Sequence, residues 1–330
     1  MNQQGNNSNN LLERMYQHST NTIKIEDNSL IKVTTAQELQ LESENMTDLT
    51  PLYEPFFYEG ECCILFADTN SGKSILSVQI ADEISRKGYK VLYLDFEMSL
   101  RQFSSRCRDE NGQVYKFHDN FMRGSINPNA LCVDDNNNYE NLLISTIENR
   151  ILIFNPQVVI IDNLTYLCMQ SESGSEAGAL MRRLIDIKNR NDISMLVVSH
   201  TPKRNLCEPI TENSLAGSKR IANFADSMFA IGKSAMDDNM RYIKQIKSRS
   251  GEIVHGASNV QACCIDREDG LLRFIHLGES AENEHLKKRG GTHSRKNDII
   301  QLLQEGKSVR EICKKLGVSP NTVSRLKQEC

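Results

Sequence analysis

The chain has 330 residues and a formal net charge of −4; 39% of its residues are hydrophobic and 25% are charged. This composition is typical of a folded globular protein and excludes wholesale disorder, and no apolar run approaches the roughly 18 residues that a membrane-spanning helix needs. The ten cysteines show neither a Cys-x-x-Cys nor a zinc-ligand spacing, and the first residues show no secretory signal, so we expect a cytoplasmic protein with reduced thiols.

Charge is distributed unevenly along the chain. Residues 286–330 contain 11 lysines and arginines against 4 acidic residues, a net charge of +7, whereas residues 1–285 carry a net charge of −11. A basic terminus on an acidic body predicts that this terminus binds a polyanion such as nucleic acid. A solubilising tail is the alternative.

The pattern of residues predicts four segments. Residues 1–50 are polar and begin with an Asn- and Gln-rich stretch, so we expect them to be partly disordered. Residues 51–278 alternate apolar and amphipathic runs and form the main domain. Residues 279–295 read as a polar, glycine-containing linker, and residues 296–330 show three short helical patterns.

The main domain is predicted to have an α/β fold. Helical spacing occurs at 74–86 and 176–190, and short continuous apolar runs surround these helices. Such runs are typical of a mostly parallel sheet covered by helices on both faces. The last four runs follow without helices, so we expect an antiparallel extension of the sheet. The predicted strands are 62–67, 91–95, 158–162, 195–199, 227–231, 240–247, 260–265 and 272–276.

The tripeptide Gly-Lys-Ser occurs three times, starting at Gly72, Gly232 and Gly306. None has the glycine five positions earlier that the full phosphate-loop pattern requires, and the first has Ala67 there. Only the first follows a predicted strand and opens a helix, where backbone N–H groups and the helix N-terminus converge on phosphate oxygens. We therefore predict a nucleotide phosphate loop here; an ordinary strand-to-helix turn is the alternative. The predicted binding residues are Ala67, Asp68, Thr69, Asn70, Ser71, Gly72, Lys73, Ser74 and Ile75.

Three residues are expected to bind the triphosphate of ATP and its Mg²⁺. Lys73 would reach the β- and γ-phosphates, and the Ser74 hydroxyl would ligate Mg²⁺. Asp162 ends an apolar strand, where a carboxylate faces the phosphate loop and holds the ion through water. The alternative for Asp162 is a strand-end residue that caps the next turn.

Five motifs in this order resemble the RecA-fold ATPases: ADTNSGKS, LDFEMS, VVIIDN, VVSHTPKR and KQIKSRSG. More narrowly, they resemble the hexameric RepA-type plasmid replicative helicases and related ATPases of mobile elements. The resemblance covers about two-thirds of the chain. It implies a RecA-like core, a homo-oligomer such as a hexamer, and ATP hydrolysis at the subunit interfaces.

The resemblance also implies particular catalytic residues. Glu97 would be the general base that orients the attacking water, with Asp95 as the alternative. His200 would sense the γ-phosphate, and the alternative is a strand-end histidine without a ligand. Lys247 and Arg249 would reach the γ-phosphate of a neighbouring subunit, unless they belong only to a charged edge strand.

The polar segment that follows His200 is expected to face single-stranded DNA in the channel of such a ring. It carries Lys203, Arg204, Lys219 and Arg220 but no aromatic residue, so contacts to the DNA backbone would dominate. A solvated surface loop is the alternative.

The C-terminal stretch GKSVREICKKLGVSPNTVSRL resembles a resolvase-type helix-turn-helix. Ser308 and Glu311 form a capping box, and Ser319 with Pro320 opens the reading helix. That helix would lie in the major groove of duplex DNA. A protein-docking three-helix bundle is the alternative. The predicted base-reading residues are Asn321, Thr322, Ser324 and Arg325, and the predicted backbone contacts are Lys314, Lys315 and Lys327.

Together these patterns favour a DNA-dependent ATPase, of the kind that acts as a helicase or as a replication or mobilisation factor of a plasmid or mobile element. Two alternatives share the same motifs. One is an ATP-gated DNA-binding regulator of transcription or partition, and the other is a recombinase-like RecA ATPase that does not unwind DNA.

Overall fold

The computed structural model of the protein describes residues 31, 33–44, 49–130, 139–167, 174–202, 204–215, 218–287, 299–316, 323–324 and 326–327. The chain divides into two units, Met1–Asp48 and Leu49–Cys330. In the first unit, helix α1 (Ala36–Ser43) begins with a capping box in which Thr35 and Glu38 satisfy each other's backbone N–H groups.

The second unit is built on one nine-stranded sheet. A short hairpin of β1 (Pro51–Tyr53) and β2 (Phe57–Tyr58) precedes it. The strands of the sheet are β3 (Cys62–Ala67), β4 (Val91–Asp95), β5 (Phe121–Ser125), β6 (Val158–Asp162), β7 (Ser194–His200), β8 (Ser227–Lys233), β9 (Met240–Lys247), β10 (Val260–Glu268) and β11 (Leu271–Ser280).

The strand order is β11-β10-β9-β8-β3-β7-β6-β4-β5. Strands β3 to β8 are parallel, and β8, β9, β10 and β11 form successive antiparallel pairs. The predicted mostly parallel sheet with an antiparallel extension is therefore confirmed. Because β3 lies near the middle of the sheet, the loop that follows it is surrounded by the ends of other strands.

Helices cover both faces of the sheet, which explains why the central strands are buried at nearly every position and consist mostly of apolar residues. On β3, Ile64 and Phe66 pack in one core and Cys63 and Leu65 in the other, because successive side chains point to opposite faces. The helices of this unit are α2 (Lys73–Arg86), α3 (Leu100–Arg106), α4 (Tyr139–Phe154), α5 (Leu164–Leu167), α6 (Gly174–Arg190), α7 (Ser218–Ala222), α8 (Glu282–His285), α9 (299–304) and α10 (Val309–Leu316).

Several elements differ from the sequence prediction. Strand β5, with the sequence FMRGS, lies at the edge of the sheet and is only half-buried, so it lacks the apolar run that marked the other strands. The predicted linker 279–295 begins inside β11, which extends to Ser280 because it pairs with β10 over its whole length. Glu282 and His285 then return to the interior, where each is 1% exposed.

The C-terminal helices α9 and α10 belong to a separate apolar cluster. The predicted capping box at the start of α10 is present, since Ser308 N and Oγ donate to Glu311 Oε2 at 2.9 and 2.8 Å. The predicted helix-turn-helix region is thus helical where the structure describes it. Its buried residues are Ile299, Leu302, Ile312, Val323 and Leu326.

Two further predictions from the sequence concern membrane-spanning helices and the cysteines. Among the helices that the structure describes, none combines the length and apolar character needed to cross a membrane. The cysteines in the described ranges are free thiols: Cys62, Cys63, Cys107, Cys207, Cys263, Cys264 and Cys313.

Candidate nucleotide-binding site

The loop between β3 and α2 has the shape of an anion-binding turn. Gly72 caps α2 with φ +97°, and a Cβ there would lie 2.8 Å from the Phe274 ring and 2.9 Å from Ile265, so only glycine fits. Asn70 also has a positive φ of 58°. The Ser71 hydroxyl is buried and has no hydrogen-bond partner among the described residues. The turn therefore brings backbone N–H groups and an unpartnered hydroxyl to the N-terminus of a 14-residue helix.

Lys73 is folded back against this loop. Its Nζ donates to the carbonyl oxygens of Ala67 at 2.9 Å and Asp68 at 3.0 Å, and the residue is 6% exposed. Burial lowers the pKa of the Lys73 amine, while the carboxylates of Asp162, Glu97 and Asp68 act to raise it. A cation held by carbonyl dipoles in a partly dehydrated site is well placed to bind phosphate oxygens.

Asp162 lies beneath the loop and is completely buried. The Tyr93 hydroxyl donates to its Oδ2 at 2.7 Å, whereas Oδ1 has no partner that meets hydrogen-bond geometry within the described residues. Burial raises the pKa of this carboxyl to about 6, against the opposing effect of the Ser74 and Tyr93 hydroxyls. An unpartnered carboxylate oxygen beside a serine hydroxyl is a set of hard oxygen ligands, so these residues fit Mg²⁺.

A hydrogen-bonded chain joins Glu97, Asn163 and His200. The Asn163 side-chain amide donates to Glu97 Oε2 at 2.9 Å and contacts His200 Nε2 at 3.0 Å. Because an amide nitrogen only donates, Nε2 of His200 accepts and its proton lies on Nδ1. Burial, with the nearby charge of Lys73, lowers the pKa of His200 and keeps the ring neutral. The backbone N–H of Tyr166 donates to Asn163 Oδ1 at 3.1 Å, which fixes the amide orientation.

The two acidic candidates for the general base have different surroundings. Asp95 is 1% exposed; its Oδ1 accepts from the backbone N–H groups of Glu97 and Met98, and its Oδ2 pairs with Arg123 at 2.9 Å. Asp95 therefore stabilises the turn after β4. Glu97 is exposed to solvent and lines the cleft over the phosphate loop. Of the two carboxylates, Glu97 is the one that can reach a water molecule.

Lys73, Ser74, Glu97 and His200 line one cleft of about 340 Å³. Besides residues 69–75, Glu97 and His200, the cleft is lined by Gln102 and Arg106 of α3. We did not predict α3, although the Ser99-x-x-Gln102 capping box at its start is the sequence signal that could have identified it.

Two further residues beside the cleft were also missed. Asn163 follows Asp162 directly, and this adjacency is the signal that could have identified it. Lys233, in the second Gly-Lys-Ser, donates from Nζ to the Thr69 carbonyl at 3.0 Å. That tripeptide ends strand β8 and supports the phosphate loop from the side.

Lys247 and Arg249 lie at the end of the sheet where the parallel strands begin, opposite the phosphate loop. On strand β9, Lys247 is paired with Met228 of β8, and Met228 is paired with Ile64 near the start of β3. The phosphate loop instead follows Ala67, at the end of β3. Three residues of strand separate these levels by about 10 Å, and the loop itself lies further on. Neither side chain lines the cleft of its own chain.

The two basic side chains also differ in their bonding. Lys247 Nζ donates to the carbonyls of Ala222 at 2.9 Å and Ala225 at 2.6 Å, and burial lowers the pKa of its amine. Arg249 lies beyond the end of β9; its side chain is 56% exposed and pairs with Asp226 at 2.9 Å. Because β9 stops at Lys247, opposite the start of its partner β8, Arg249 belongs to the turn that follows the strand.

The segment after β7 contacts the phosphate loop. The Thr201 hydroxyl donates to Asp68 Oδ1, and Arg204 Nε lies 3.7 Å from Asp68 Oδ2 with a side chain that is 9% exposed. Arg204 is thus directed toward its own loop and not toward a channel. Arg220 is exposed, while Lys203 and the side chain of Lys219 lie outside the described part of the chain.

The helix-turn-helix residues are described only in part. Ser324 and Lys327 are exposed, as is Lys315 on α10. Exposure of these side chains is consistent with contact to a ligand in solution. Asn321, Thr322, Arg325 and the side chain of Lys314 lie outside the described residues, as do Ser319 and Pro320.

A phosphate loop after a central parallel strand, with a buried carboxylate at the end of a nearby strand, defines a P-loop ATPase with a RecA-like core. A family model described as an AAA domain matches residues 28–205, which is more than half of the chain. The chain therefore belongs to the AAA domain family. A second model, described as a homeodomain-like domain, matches residues 294–329.

Similar curated proteins agree with this assignment at low identity. The DNA repair protein RadA of Bacillus subtilis is 21% identical over 270 residues, which cover 80% of this chain and 51% of that protein. RadA of Chlamydia muridarum is 24% identical over 197 residues, covering 58% of this chain and 37% of that protein. The chain thus spans about half or less of the length of these relatives. The matches support a RecA-fold ATPase, and the narrower resemblance to RepA-type helicases stays a prediction.

Proposed function

We propose that the protein is a DNA-dependent ATPase that hydrolyses ATP at interfaces between its own copies and is held on duplex DNA by its C-terminal helix-turn-helix. The observation that carries this proposal is the convergence of Lys73, Ser74 and Glu97 on one cleft, with the buried Asp162 close to Lys73 and Ser74. These residues come from three different strand ends, so their proximity depends on the fold and not on sequence adjacency.

The binding step uses the phosphate loop and the two oxygen ligands beneath it. The Lys73 amine exchanges its bonds to the Ala67 and Asp68 carbonyls for bonds to the β- and γ-phosphates. Ser74 and Asp162 are the residues that would hold Mg²⁺, and the ion would stabilise the charge of the phosphate oxygens. Because the pKa of Asp162 is about 6, its carboxyl is ionised near neutral pH and is ready to act in this way.

The hydrolytic step needs a carboxylate that orients water, and the bonding of Glu97 suits it to this role. Asn163 occupies Glu97 Oε2, which leaves Oε1 to accept the proton of the attacking water. The same amide holds His200 Nε2, so the Nδ1–H of the neutral ring is left to donate to a phosphate oxygen. In this proposal the amide of Asn163 aligns the base and the sensor at once.

Arg249 supplies the remaining cation in trans. Negative charge develops on the transferring phosphoryl group, and an arginine from a neighbouring subunit stabilises it. Arg249 suits this role because it is exposed and lies at the edge of the sheet opposite its own phosphate loop. Lys247 donates to the carbonyls of Ala222 and Ala225 of its own chain, so it holds the end of β9 against the segment that precedes β8. A trans arginine requires a homo-oligomer, and we propose a hexameric ring.

DNA binding is supported by the homeodomain-like match and by the net charge of +7 over residues 286–330. The curated relatives carry DNA repair in their names, which favours a DNA substrate for this chain as well. The motif order favours a helicase or a replication or mobilisation factor of a plasmid or mobile element, and we propose that the protein acts in the cytoplasm, where DNA and ATP are available. A helix-turn-helix is also what an ATP-gated regulator would carry, and the RadA relatives favour a recombinase-like ATPase as a third candidate.

ATP turnover without DNA, with single-stranded DNA and with duplex DNA distinguishes these candidates. We expect single-stranded DNA to stimulate turnover, and light scattering with ATP to show a mass that is a multiple of the monomer's. Turnover that is insensitive to single-stranded DNA would contradict a motor function. Site-specific duplex binding that depends on nucleotide, with no opening of a forked duplex, would support the regulator. Stimulation by single-stranded DNA without opening of the fork would support the recombinase-like ATPase.

A further inference from the structure

Asp226 connects the Arg249 side chain to the central strand. It directly precedes β8, and its Oδ2 accepts the backbone N–H of Cys62, the first residue of β3, at 2.9 Å. Its Oδ1 accepts from Arg249 Nη1 at 2.9 Å. The Asp226 carboxylate therefore fixes the position of the Arg249 guanidinium relative to β3, the strand that precedes the phosphate loop.

The turn that carries Arg249 is anchored on its other side by Glu61. This carboxylate is 4% exposed; its Oε1 accepts from the hydroxyls of Ser227 and Ser250, and its Oε2 accepts from the backbone N–H of Tyr58 at 3.1 Å. Two adjacent residues of the turn, Arg249 and Ser250, are therefore bonded to carboxylates next to β3 and β8. Between Lys247 and Ser250, Arg249 is the exposed residue.

We propose that Asp226 is a positioning residue, which holds Arg249 in the orientation that a neighbouring copy's nucleotide requires. This inference rests on the proposed trans role of Arg249. Asp226 occupies only Nη1 of the guanidinium among the described residues, and the other N–H groups stay available for phosphate oxygens. A pre-oriented arginine loses less conformational freedom when it binds, and displacement of a catalytic group by about 1 Å can lower a rate about 100-fold.

A simple surface ion pair is the competing explanation, and the chain offers a matched example. Arg190 and Glu148 are 2.8 Å apart with side chains that are 63% and 29% exposed, compared with 56% and 28% for Arg249 and Asp226. Such exposed pairs contribute little to stability. If the Asp226 pair were only a surface contact, removing it and removing the Glu148 pair would have the same effect.

The substitution Asp226→Asn separates the two bonds of this residue. The amide oxygen keeps the bond to the Cys62 N–H, while the amide nitrogen replaces the acceptor that faces Arg249. The central strand therefore keeps its anchor and only the arginine loses its partner.

Mixed full-length assemblies test the inference. Arg249→Ala copies serve as acceptors with an intact phosphate loop, and Lys73→Ala copies serve as donors that carry the arginine but cannot turn over ATP. ATP turnover in the mixture then arises only where Arg249 of a donor copy reaches the nucleotide bound to a neighbouring acceptor copy. We expect Lys73→Ala donors to restore turnover, and donors that also carry Asp226→Asn to restore about 10- to 100-fold less at an unchanged KM for ATP. Donors that also carry Glu148→Gln should restore it fully.

The reciprocal mixture distinguishes positioning from misfolding. Acceptors with both Arg249→Ala and Asp226→Asn should turn over as Arg249→Ala acceptors do, because the acceptor's own arginine is not used. The inference would be overturned if donors with and without Asp226→Asn restored ATP turnover equally. It would also be overturned if Asp226→Asn in the acceptor copies lowered turnover as much as it does in the donor copies. Either result would leave the trans role of Arg249 intact. No rescue by Lys73→Ala donors would overturn the trans role of Arg249 and this inference with it.

Discussion

Replacing Asn163 by alanine tests whether one buried amide aligns the catalytic base. The substitution removes the bond to Glu97 Oε2 at 2.9 Å and the contact to His200 Nε2 at 3.0 Å. A hydrogen bond to a charged group contributes about 1.5–3 kcal/mol and one between neutral groups about 0.5–1.5 kcal/mol. If both bonds act in the transition state, their loss raises the barrier by about 2–4 kcal/mol and lowers kcat about 30- to 1,000-fold.

Nucleotide affinity should change little in this variant, because Asn163 does not line the cleft around the phosphate loop. The free energy of unfolding should fall by about 1–2 kcal/mol, since the Tyr166 N–H also loses its acceptor. The assays are steady-state ATP turnover, titration with a fluorescent ATP analogue, and urea unfolding. A kcat within about threefold of the wild-type value in a folded variant would refute the alignment role.

Asn191→Ala is a matched control for this experiment. Its side-chain amide donates to the Ile187 carbonyl at 2.8 Å at the end of α6, in a half-buried setting that does not contribute to the nucleotide cleft. The control loses one amide hydrogen bond and should reduce stability by a comparable amount while leaving kcat unchanged. A loss of kcat in both variants would point to general destabilisation.

Four further outcomes are expected. Lys73→Ala should abolish detectable binding of a fluorescent ATP analogue, whereas Lys307→Ala in the third Gly-Lys-Ser, which is exposed, should bind normally. Because the folded pKa of Asp162 is about 6 against 3.8 unfolded, protonation favours the folded state, and nucleotide-free stability should fall by about 2 kcal/mol as pH rises from 4 to 6. Asp162→Asn should remove this dependence in urea unfolding, and an unchanged pH profile would contradict the assignment. Gly232→Ala should destabilise the fold by about 1–3 kcal/mol or more in the same assay, because the new Cβ would lie 2.0 Å from a tyrosine ring. Arg325→Ala should weaken binding to a specific duplex by about 1–3 kcal/mol in fluorescence anisotropy, with DNA-free ATP turnover unaffected.

Much of the fold could be predicted from local patterns. Strands 62–67, 91–95, 158–162 and 240–247 were predicted with the bounds that the structure has. The first three could be recognised because strands in the middle of a parallel sheet are apolar at successive positions. Strand β5 escaped prediction because an edge strand buries less and needs no such run. Helix α4 escaped because only four of its 16 residues are buried.

The choice among the three Gly-Lys-Ser tripeptides also followed from sequence context. Only the first lies between a buried strand and a long helix, and that arrangement alone predicts an anion site. The structure assigns the others to a strand end, where Gly232 lies against a tyrosine ring, and to a turn at Gly306 with a φ of +76°. Neither requires a ligand to explain its glycine.

Tertiary structure decided the roles that depend on which groups meet in space. From the sequence, Asp95 and Glu97 were both candidates for the base; Arg123, on a strand that we did not predict, pairs with Asp95 and leaves Glu97 facing the cleft. Composition and periodicity indicate which segments are buried, because apolar side chains gain free energy when they are removed from water. Hydrogen-bond partners and distances across the sheet depend on strand order and register, which no single segment encodes.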